Sequence, residues 1–454
     1  MGRLFGTDGA RGVAITELTC ELAMNIGRAA AIVLTKHKTA GSKAKILIGK
    51  DTRVSSDILE AALISGIMSV GADAVTLGVV PTPAVAYLVT KEMADAGVMI
   101  SASHNSVEYN GIKLFAGTGF KLPDEVENEI EALILDTPER MELMSGTAVG
   151  RVSELTNAAE TYVKHLVSAS AIAPNDLRIV ADCANGSASA TALGLFSKLG
   201  VRADIIFSEP DGCNINDGCG STHIEKLCER VKNGGYDLGV AFDGDADRCL
   251  AVDDKGRIVD GDRLIAIISS KMKSDGALRN DTAVVTVMSN LGFHTYMKEH
   301  GINTVCTAVG DRYVLERMLK DGFNIGGEQS GHIIFLDHAT TGDGQLTAVK
   351  LLSLLTQSGR RLSEYNDEFT DYPQLLENVK ITDNKKGLWD KDENILAAIK
   401  EAETALGADG RILVRESGTE PLLRVMIEGK DADKVNRCTK LIADAVRDKL
   451  GSED

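Results

Sequence analysis

The sequence has few aromatic residues and no long apolar run, and each absence excludes a class of function. Aromatic residues make up 4% of the chain, with a single tryptophan. That is too few to build the stacking platforms that bind single-stranded nucleic acid. No apolar stretch approaches the roughly 20 residues that span a bilayer, and the opening MGRLFGTDGARG lacks the apolar core of a secretion signal. We therefore expect neither a nucleic acid partner nor a membrane anchor.

Positive charge and paired cysteines are also scarce. Lys and Arg together number 49 against 66 for Asp and Glu, a net charge of -17, which disfavours binding to nucleic acid or an anionic membrane. The eight cysteines include no Cys-x-x-Cys pair, as is typical of reduced thiols in the cytoplasm. Cys213, Cys219, His223 and Cys228 match no usual zinc spacing, and the segment DGCNINDGCG is predicted to be a turn region.

The order of strands and helices predicts an α/β protein of several domains. An apolar strand, a Gly-containing turn and an amphipathic helix recur in segments that begin near Ile46, Arg178 and Ala283. Ser55 or Ser56 is predicted to cap the helix after the first of these strands. Beyond about residue 371 the pattern changes to that of a smaller α+β domain. We predict three βαβ-type mixed-sheet domains and a C-terminal α+β domain (1–150, 151–254, 255–370 and 371–454) around a central cleft.

The segment ISASHNSVEYNGIK, residues 100–113, follows an apolar run that is predicted to be a strand, Ala96–Ile100. A row of small polar residues forms no core. It suits a loop that holds one hydroxyl in a fixed position, and Ser103 lies in the middle of it.

The segment DGDADR follows the apolar run Leu238–Phe242 and has carboxylates at alternate positions, Asp243, Asp245 and Asp247. Their mutual repulsion is relieved by a hard divalent cation, and ligands that are all oxygen favour Mg²⁺. An EF-hand is excluded because its sixth and twelfth positions are here Arg248 and Asp254. A cation beside such a site indicates that a phosphate group is bound there as well.

Two further segments have the residues of ligand-binding loops. RESGTEP, with Arg424 in the strand after it, combines hydroxyl donors, a glycine that admits a backbone N–H and two guanidinium groups, the composition of a phosphate cradle. GEQSGH, residues 327–332, offers Glu328 and Ser330 to the hydroxyls of a sugar. His332 is open to two interpretations, a structural histidine or a group that transfers a proton.

The five segments FGTDGARG, SASHNSVEYNGIK, DGDADR, GEQSGH and RESGTEP occur in the order found in the α-D-phosphohexomutases, and the chain resembles that family over nearly its whole length. The first and fourth are similar to those of the bacterial phosphoglucosamine mutases. The resemblance implies a cytoplasmic phosphoprotein isomerase that interconverts glucosamine 6-phosphate and glucosamine 1-phosphate for UDP-N-acetylglucosamine and cell-wall precursor synthesis. It leaves open whether the chain forms a homodimer.

The resemblance also implies a role for each residue. Ser103 carries the phosphoryl group, and one Mg²⁺ is bound by Asp243, Asp245 and Asp247 together with the Ser103 phosphate. Glucose- or glucosamine-1,6-bisphosphate is the implied activator and intermediate. The other implied site residues surround the reacting phosphoryl group (Arg11, Lys113, Arg248 and His332), face the sugar (Glu328 and Ser330) or bind the distal phosphate (Arg415, Ser417, Gly418, Thr419 and Arg424).

The chain departs from the family at two prolines. Ser106 stands where the family usually has Pro after Ser-His-Asn, and Glu416 where it has Pro after the cradle arginine, which loosens each loop. Two alternatives stay open: a phosphomannomutase or phosphoglucomutase of the same fold, and a non-catalytic sugar-phosphate-binding protein. Gln329 beside Glu328 favours an amino sugar. Either Lys113 or His332 is the general base.

Overall fold

The computed structural model describes residues 2–6, 8–36, 43–171, 176–370, 372–382, 385, 387–416 and 421–451, the side chain of residue 408 excepted. The chain divides into two compact units, one of Met1–Met288 with Ile302–Asn366 and one of Ser289–Gly301 with Asp367–Asp454. None of the helices in these described ranges is long and apolar enough to cross a membrane.

The strands are β1 Phe5–Gly6, β2 Gly9–Val13, β3 Lys45–Lys50, β4 Asp73–Val79, β5 Ala96–Ile100, β6 Tyr109–Ala116, β7 Val152–Glu154, β8 Arg178–Asp182, β9 Arg202–Ile206, β10 Leu238–Phe242, β11 Cys249–Asp253, β12 Ile258–Val259, β13 Thr282–Thr286, β14 Asn303–Thr307, β15 Ile325–Gly327, β16 Ile333–Phe335, β17 Gln374–Lys380, β18 Gly410–Glu416 and β19 Leu422–Gly429. The helices are α1 Cys20–Leu34, α2 Val54–Ser69, α3 Thr82–Lys91, α4 Asp124–Leu135, α5 Ala158–Ser168, α6 Ala192–Lys198, α7 Glu225–Gly234, α8 Gly261–Ser274, α9 Leu291–Glu299, α10 Asp311–Asp321, α11 Gly344–Ser358, α12 Leu362–Asn366, α13 Glu393–Leu406 and α14 Ala432–Leu450.

The first sheet has seven strands in the order β1-β2-β6-β5-β3-β4-β7. Its central strand β5, Ala-Gly-Val-Met-Ile, is buried at all five positions, as expected of a strand that is covered on both faces. β5 is parallel to β3 and antiparallel to β6. The chain leaves β5 at Ile100, so the sheet holds the start of the Ser103 loop in a fixed position.

The second and third sheets are also mixed and lie in the first unit. The five-stranded sheet has the order β12-β11-β10-β8-β9, in which β10 is parallel to β8 and antiparallel to β11. Its fully buried strand β10 ends at Phe242, directly before the triple-aspartate turn. The four-stranded sheet has the order β14-β13-β15-β16, and its β15–β16 hairpin presents the loop with Glu328.

The second unit contains a three-stranded antiparallel sheet, in the order β17-β19-β18. Apolar residues of β17 and β19 pack against α13 and α14 in a core of their own, with Ile395, Val425, Ile427 and Ile442 buried. Three mixed α/β sheets in one unit and a smaller α+β arrangement in the other confirm the predicted fold class. The boundaries at residues 150, 254 and 370 stay predictions.

The predicted helix cap at Ser55 or Ser56 is wrong. Helix α2 begins at Val54 after Arg53, with no hydrogen bond from a capping side chain. The hydroxyl of Ser56 donates instead to the buried carboxylate of Asp51, at 2.9 Å. A charged acceptor inside the core binds the serine hydroxyl more strongly than a helix end does.

Candidate active site

Ser103 lies in the loop between β5 and β6, where it is 1% exposed. Its backbone has φ +53°, the left-handed region that side chains seldom adopt. The hydroxyl donates to Asp243 Oδ2 at 2.6 Å, and the amide donates to Ser101 Oγ at 3.0 Å. The structure therefore brings the serine loop and the aspartate turn, 140 residues apart in sequence, into direct contact.

The three aspartates form a compact, buried group. Each offers an oxygen within 4.8 Å of the others, and this is the one cluster of metal-ligand type among the residues that the structure describes. Oδ1 of Asp245 and Oδ1 of Asp247 are buried without a hydrogen-bond partner. Burial, together with the charges of Asp247 and Asp245, raises the pKa of Asp243 well above its usual value. Oxygen ligands with unmet acceptor capacity and excess negative charge fit a hard divalent cation.

Lys113, on β6, supplies positive charge next to this group. Its ammonium lies 2.8 Å from Asp245 Oδ2, 3.0 Å from Asp8 Oδ2 and 3.4 Å from Asp247 Oδ2. Burial opposes the charge on Lys113, but the three carboxylates hold its pKa above its ordinary value. Burial also opposes the charge on Asp245 and by itself would raise the pKa of that carboxyl, but Lys113 and the Thr82 hydroxyl lower it. The Lys113 ammonium and the carboxylates of Asp8 and Asp245 therefore keep each other ionised.

Arg248 and His104 lie on the other side of the serine hydroxyl. The Arg248 guanidinium contacts His104 Nδ1 at 3.1 Å, and the Ser103 hydroxyl lies 3.4 Å from the same nitrogen. Burial and the charges of Arg248 and Arg11 lower the pKa of His104 to about 4. His104 is therefore neutral near pH 7, and its Nδ1 accepts from Arg248. Arg11 is paired with Asp8.

His332 is 3% exposed and approaches this group from the third sheet. Its Nε2 lies 3.7 Å from Asp311 Oδ2 and 3.9 Å from Asp247 Oδ2. Neither ring nitrogen forms a hydrogen bond with another part of the chain that the structure describes. Lys121 joins Asp311 to the first sheet, with its ammonium 2.6 Å from both Asp311 Oδ2 and Asp8 Oδ1.

The proposed sugar loop is attached to β11 through the backbone. The amide of Cys249 donates to the carbonyl of Gly331 at 3.0 Å. Glu328 is half-buried and its carboxylate accepts from the Gly310 amide at 3.1 Å, while Ser330 is exposed. The Gln329 amide donates to Asp260 Oδ2 at 3.1 Å. That contact ties Gln329 to the N-cap residue of α8.

The proposed phosphate cradle lies in the second unit. Arg415 on β18 is directly opposite Arg424 on β19, and residues directly opposite on antiparallel strands share a face of the sheet. Burial and the charge of Arg424 lower the pKa of Arg415. Three of the predicted cradle residues, Ser417, Gly418 and Thr419, lie outside the described residues.

The sequence interpretation missed several charged residues that contact the predicted ones. Asp8 between β1 and β2, Lys121 after β6 and Asp311 at the start of α10 form a chain of ion pairs with Lys113. Asp311 Oδ2 in turn lies 3.7 Å from His332 Nε2. Asp8 stands inside FGTDGARG, so the position of its motif was a usable signal. Lys121 and Asp311 look like ordinary surface charges in the sequence, and only the fold shows their burial.

Comparison with known proteins matches the chain to four models of the phosphoglucomutase/phosphomannomutase family: α/β/α domain I over residues 2–141, α/β/α domain II over 160–256, α/β/α domain III over 260–372 and the C-terminal domain over 376–445. Among solved structures, a phosphoglucomutase/phosphomannomutase family protein from Burkholderia thailandensis has a TM-score of 0.81 at 22% identity, covering 99% of this chain and 98% of the other. An Aspergillus fumigatus N-acetylphosphoglucosamine mutase, solved with GlcNAc-6P and magnesium, has a TM-score of 0.71 at 19% identity, covering 99% and 96%.

A curated relative extends this likeness to the sequence itself. A phosphoglucosamine mutase from Clostridium kluyveri is 50% identical over 451 residues, covering 99% of this chain and 100% of the relative. Domains I, II, III and the C-terminal domain of the family follow one another along the chain. The chain belongs to the phosphoglucosamine mutases of the α-D-phosphohexomutase superfamily.

Proposed function

We propose that this chain interconverts glucosamine 6-phosphate and glucosamine 1-phosphate by intramolecular phosphoryl transfer, with Ser103 as the phosphoryl carrier. One observation carries the proposal. The Ser103 hydroxyl is 2.6 Å from Asp243 in a buried cluster of three aspartates, surrounded by Lys113 and Arg248. A phosphoserine has to be charge-balanced at rest and reactive during transfer. A hydroxyl held among carboxylates and cations meets both requirements.

The reaction consists of two transfers of opposite direction. In the first, the bond from phosphorus to Ser103 Oγ breaks while a bond forms to the free hydroxyl of the sugar phosphate, which gives the 1,6-bisphosphate and a serine hydroxyl. The bisphosphate then turns around in the site. In the second, its other phosphoryl group returns to Ser103 Oγ, and the product leaves with one phosphate. A sugar 1,6-bisphosphate also restores an enzyme that has lost its phosphate.

Asp243, Asp245 and Asp247, with an oxygen of the Ser103 phosphate, are the proposed ligands of one Mg²⁺. When bound, the ion supplies positive charge that stabilises the phosphoryl oxygens during transfer. Arg248 and Arg11 add guanidinium groups suited to the same oxygens. Glu328 and Ser330 contact the sugar in this proposal. Arg415 and Arg424, with Ser417, Gly418 and Thr419, bind the phosphate that is not reacting.

His332 is the better placed of the two candidate bases. The Lys113 ammonium lies close to three carboxylates, so its N–H groups are engaged and it acts as a fixed cation. His332 has two ring nitrogens without hydrogen bonds among the described residues, and either one can accept the proton of the attacking sugar hydroxyl. In the second transfer His332 returns its proton to the sugar oxygen that leaves phosphorus. Ser103 Oγ takes up a proton from solvent when it leaves phosphorus in the first transfer and releases one when it attacks in the second.

Turnover on glucosamine 6-phosphate, with the phosphorylation state of Ser103 recorded by intact-mass spectrometry, tests the proposal. Ser103→Ala should abolish both the turnover and the added phosphate mass. An active Ser103→Ala variant contradicts the assignment. Assays with glucosamine, glucose and mannose 1-phosphates side by side separate the proposed function from a phosphoglucomutase or a phosphomannomutase.

A further inference from the structure

The backbone carbonyls of the Ser103 loop are held by a buried arginine. The Arg53 side chain has no exposed surface. Its Nη2 donates to the carbonyl oxygens of Ser103 at 3.1 Å and Asn105 at 2.7 Å. Its Nη1 donates to the carbonyls of Ser106 and Tyr109, the latter at 3.0 Å. One guanidinium therefore binds four carbonyls along the segment that carries the phosphoryl group.

Asn216 binds two of the same carbonyls from the second sheet's side of the loop. Its amide nitrogen donates to the Ser103 carbonyl at 3.0 Å and to the Asn105 carbonyl at 3.1 Å. Asn216 belongs to DGCNINDGCG, the turn region to which the sequence assigned no role. That turn is docked on the residues beside Arg53, because the Val54 amide donates to the Gly212 carbonyl at 2.9 Å.

Arg53 is itself held in place by hydrogen bonds. Asp51 accepts from Arg53 Nε at 2.9 Å and from the Ser101 hydroxyl at 2.6 Å, and Ser101 Oγ in turn accepts from the Ser103 amide. Gly244 in the metal turn leaves the space that Asn216 needs. A Cβ at Gly244 would lie 2.5 Å from the Ser103 carbonyl oxygen and 2.9 Å from the Asn216 amide nitrogen. The Ser103 carbonyl, the Asn216 side chain and the triple-aspartate turn are therefore closely packed.

We propose that Arg53 and Asn216 are positioning residues that clamp the Ser103 loop in the geometry of phosphoryl transfer; this rests on the proposed role of Ser103. Neither residue is assigned to the reacting atoms. Their hydrogen bonds hold Ser103 in its left-handed conformation at φ +53° and turn its carbonyl toward cationic and amide donors. The hydroxyl is left on the side that faces Asp243. Such alignment sets the rate of transfer more than the affinity for substrate.

The clamp also explains how the loop keeps its shape without the proline that the family usually has at position 106. A proline restricts the backbone of an unliganded loop by fixing φ. Here Arg53 donates a hydrogen bond to the Ser106 carbonyl, and this hydrogen bond restricts the backbone of the loop instead. A Ser106→Pro substitution should therefore recover part of what is lost when Arg53 is weakened.

Steady-state kinetics of the full chain with Mg²⁺ and bisphosphate test the clamp through Arg53→Lys. A lysine keeps the charge but cannot reach four carbonyls. We expect kcat to fall about tenfold to a hundredfold while KM stays within about twofold. Arg28→Lys is the matched control, because Arg28 is a half-buried arginine that contacts Ser69 and Asn25 of the first unit. It should leave kcat unchanged. A folded Arg53→Lys variant with the kcat of the parent overturns the proposal.

Asn216→Ala decides the matter if Arg53→Lys does not fold, since it removes only the two hydrogen bonds from the second side. It should lower kcat about threefold to tenfold with KM unchanged. Adding Ser106→Pro to either variant should restore at least about threefold of the lost kcat. Equal losses in kcat and in substrate affinity, or no recovery with proline, contradict a positioning role.

Amide hydrogen exchange over residues 101–110 separates failure of this proposal from failure of the proposed function. Both clamp variants should speed exchange in that segment, whether or not Ser103 carries phosphate. Unchanged exchange overturns the clamp even if turnover falls. Faster exchange together with an active Ser103→Ala variant would keep the clamp as a structural feature but remove its catalytic role, and with it the proposal.

Discussion

The two regions proposed to bind phosphate treat charge in opposite ways. Around Ser103, cations and carboxylates alternate, so that Lys113 lies within 3.4 Å of three acids. On the β18–β19 sheet, Arg415 and Arg424 lie directly opposite each other and the pKa of Arg415 is lowered by burial and by its neighbour. The first region is balanced internally by ion pairs, and the second brings two guanidinium groups together on one face of its sheet.

The difference fits the two roles. A site that changes its phosphorylation state in every cycle has to be stable with and without the phosphate, and paired charges provide that tolerance. A site that only binds phosphate gains affinity from repulsion between cations that the ligand relieves. The balanced region should therefore contribute mostly to the stability of the fold, and the charged region mostly to binding.

Lys113→Met tests the balanced side and should have the largest effect. It leaves Asp8, Asp245 and Asp247 without their shared cation, and removing one partner of a buried ion pair costs about 3–5 kcal/mol. Urea unfolding should show that loss of stability. Lys164→Met is the control, since the Lys164–Glu160 pair is solvent-exposed and should change stability by less than about 0.5 kcal/mol. A stable Lys113→Met variant would contradict the comparison.

Arg415→Met tests the charged side. Loss of one arginine from the cradle should weaken phosphosugar binding by about 1.5–3 kcal/mol, or roughly tenfold to 150-fold, as measured by calorimetry, without loss of stability. Arg411→Met on the same strand is the matched control. Arg411 lies opposite Glu428 and forms an ion pair with it at 2.5 Å, so its loss should destabilise the fold and spare binding. The reverse pattern would invalidate the distinction.

Asp343 extends the comparison to a buried carboxylate whose partner is a hydroxyl rather than a cation. Tyr162 donates to it at 2.8 Å. Burial raises the pKa of Asp343 to about 7, against hydrogen bonds from the Leu346 amide and from Tyr162 that lower it. A raised carboxyl pKa stabilises the fold fully below the ordinary carboxyl pKa, and that stabilisation is lost as the pH rises through about 7.

The resulting loss between pH 6 and pH 8 is about 1.4 kcal/mol, to be measured by urea unfolding at each pH. Asp343→Asn retains the acceptor that caps α11 and should remove this part of the pH dependence. An Asn variant whose stability still declines by the same amount would assign the pH dependence to another group.

Glu416→Gln should have the smallest effect. Glu416 replaces a proline next to the cradle, and its carboxylate accepts from the Gly387 amide at 2.5 Å. A side chain held in that way adds little repulsion toward a bound phosphate. We expect KM for glucosamine 6-phosphate to change by less than about twofold. A decrease of tenfold or more would show that Glu416 opposes phosphate binding.

The sequence was sufficient for the strands that deliver the reactive groups. β5 and β10 are apolar runs followed at once by polar segments, and that change of pattern is local. Each of these strands ends at the edge of its own sheet where the site lies, so the polar segments that follow them meet. The Ser103–Asp243 hydrogen bond confirms that the two segments are close. Their roles as phosphoryl carrier and metal ligands stay predictions.

The supporting residues could not be predicted, because their importance depends on burial. Arg53 follows a strand and precedes a helix, where an arginine usually faces solvent, yet it has no exposed surface. Asn216 lies in a Gly- and Asn-rich turn that resembles any surface loop. The sequence also misassigned Ser56 as a possible helix cap, since it gave no sign that Asp51 is buried next to it.

Gly244 limits how the triple-aspartate turn of this enzyme can be varied. Because the Ser103 carbonyl and the Asn216 amide occupy the place where its Cβ would be, the second position of DGDADR has no room for a side chain. Attempts to redesign the ion preference must therefore vary the three acids and keep this glycine. If all six positions of DGDADR are randomised, most library members will have a side chain at position 244 and will not form this turn.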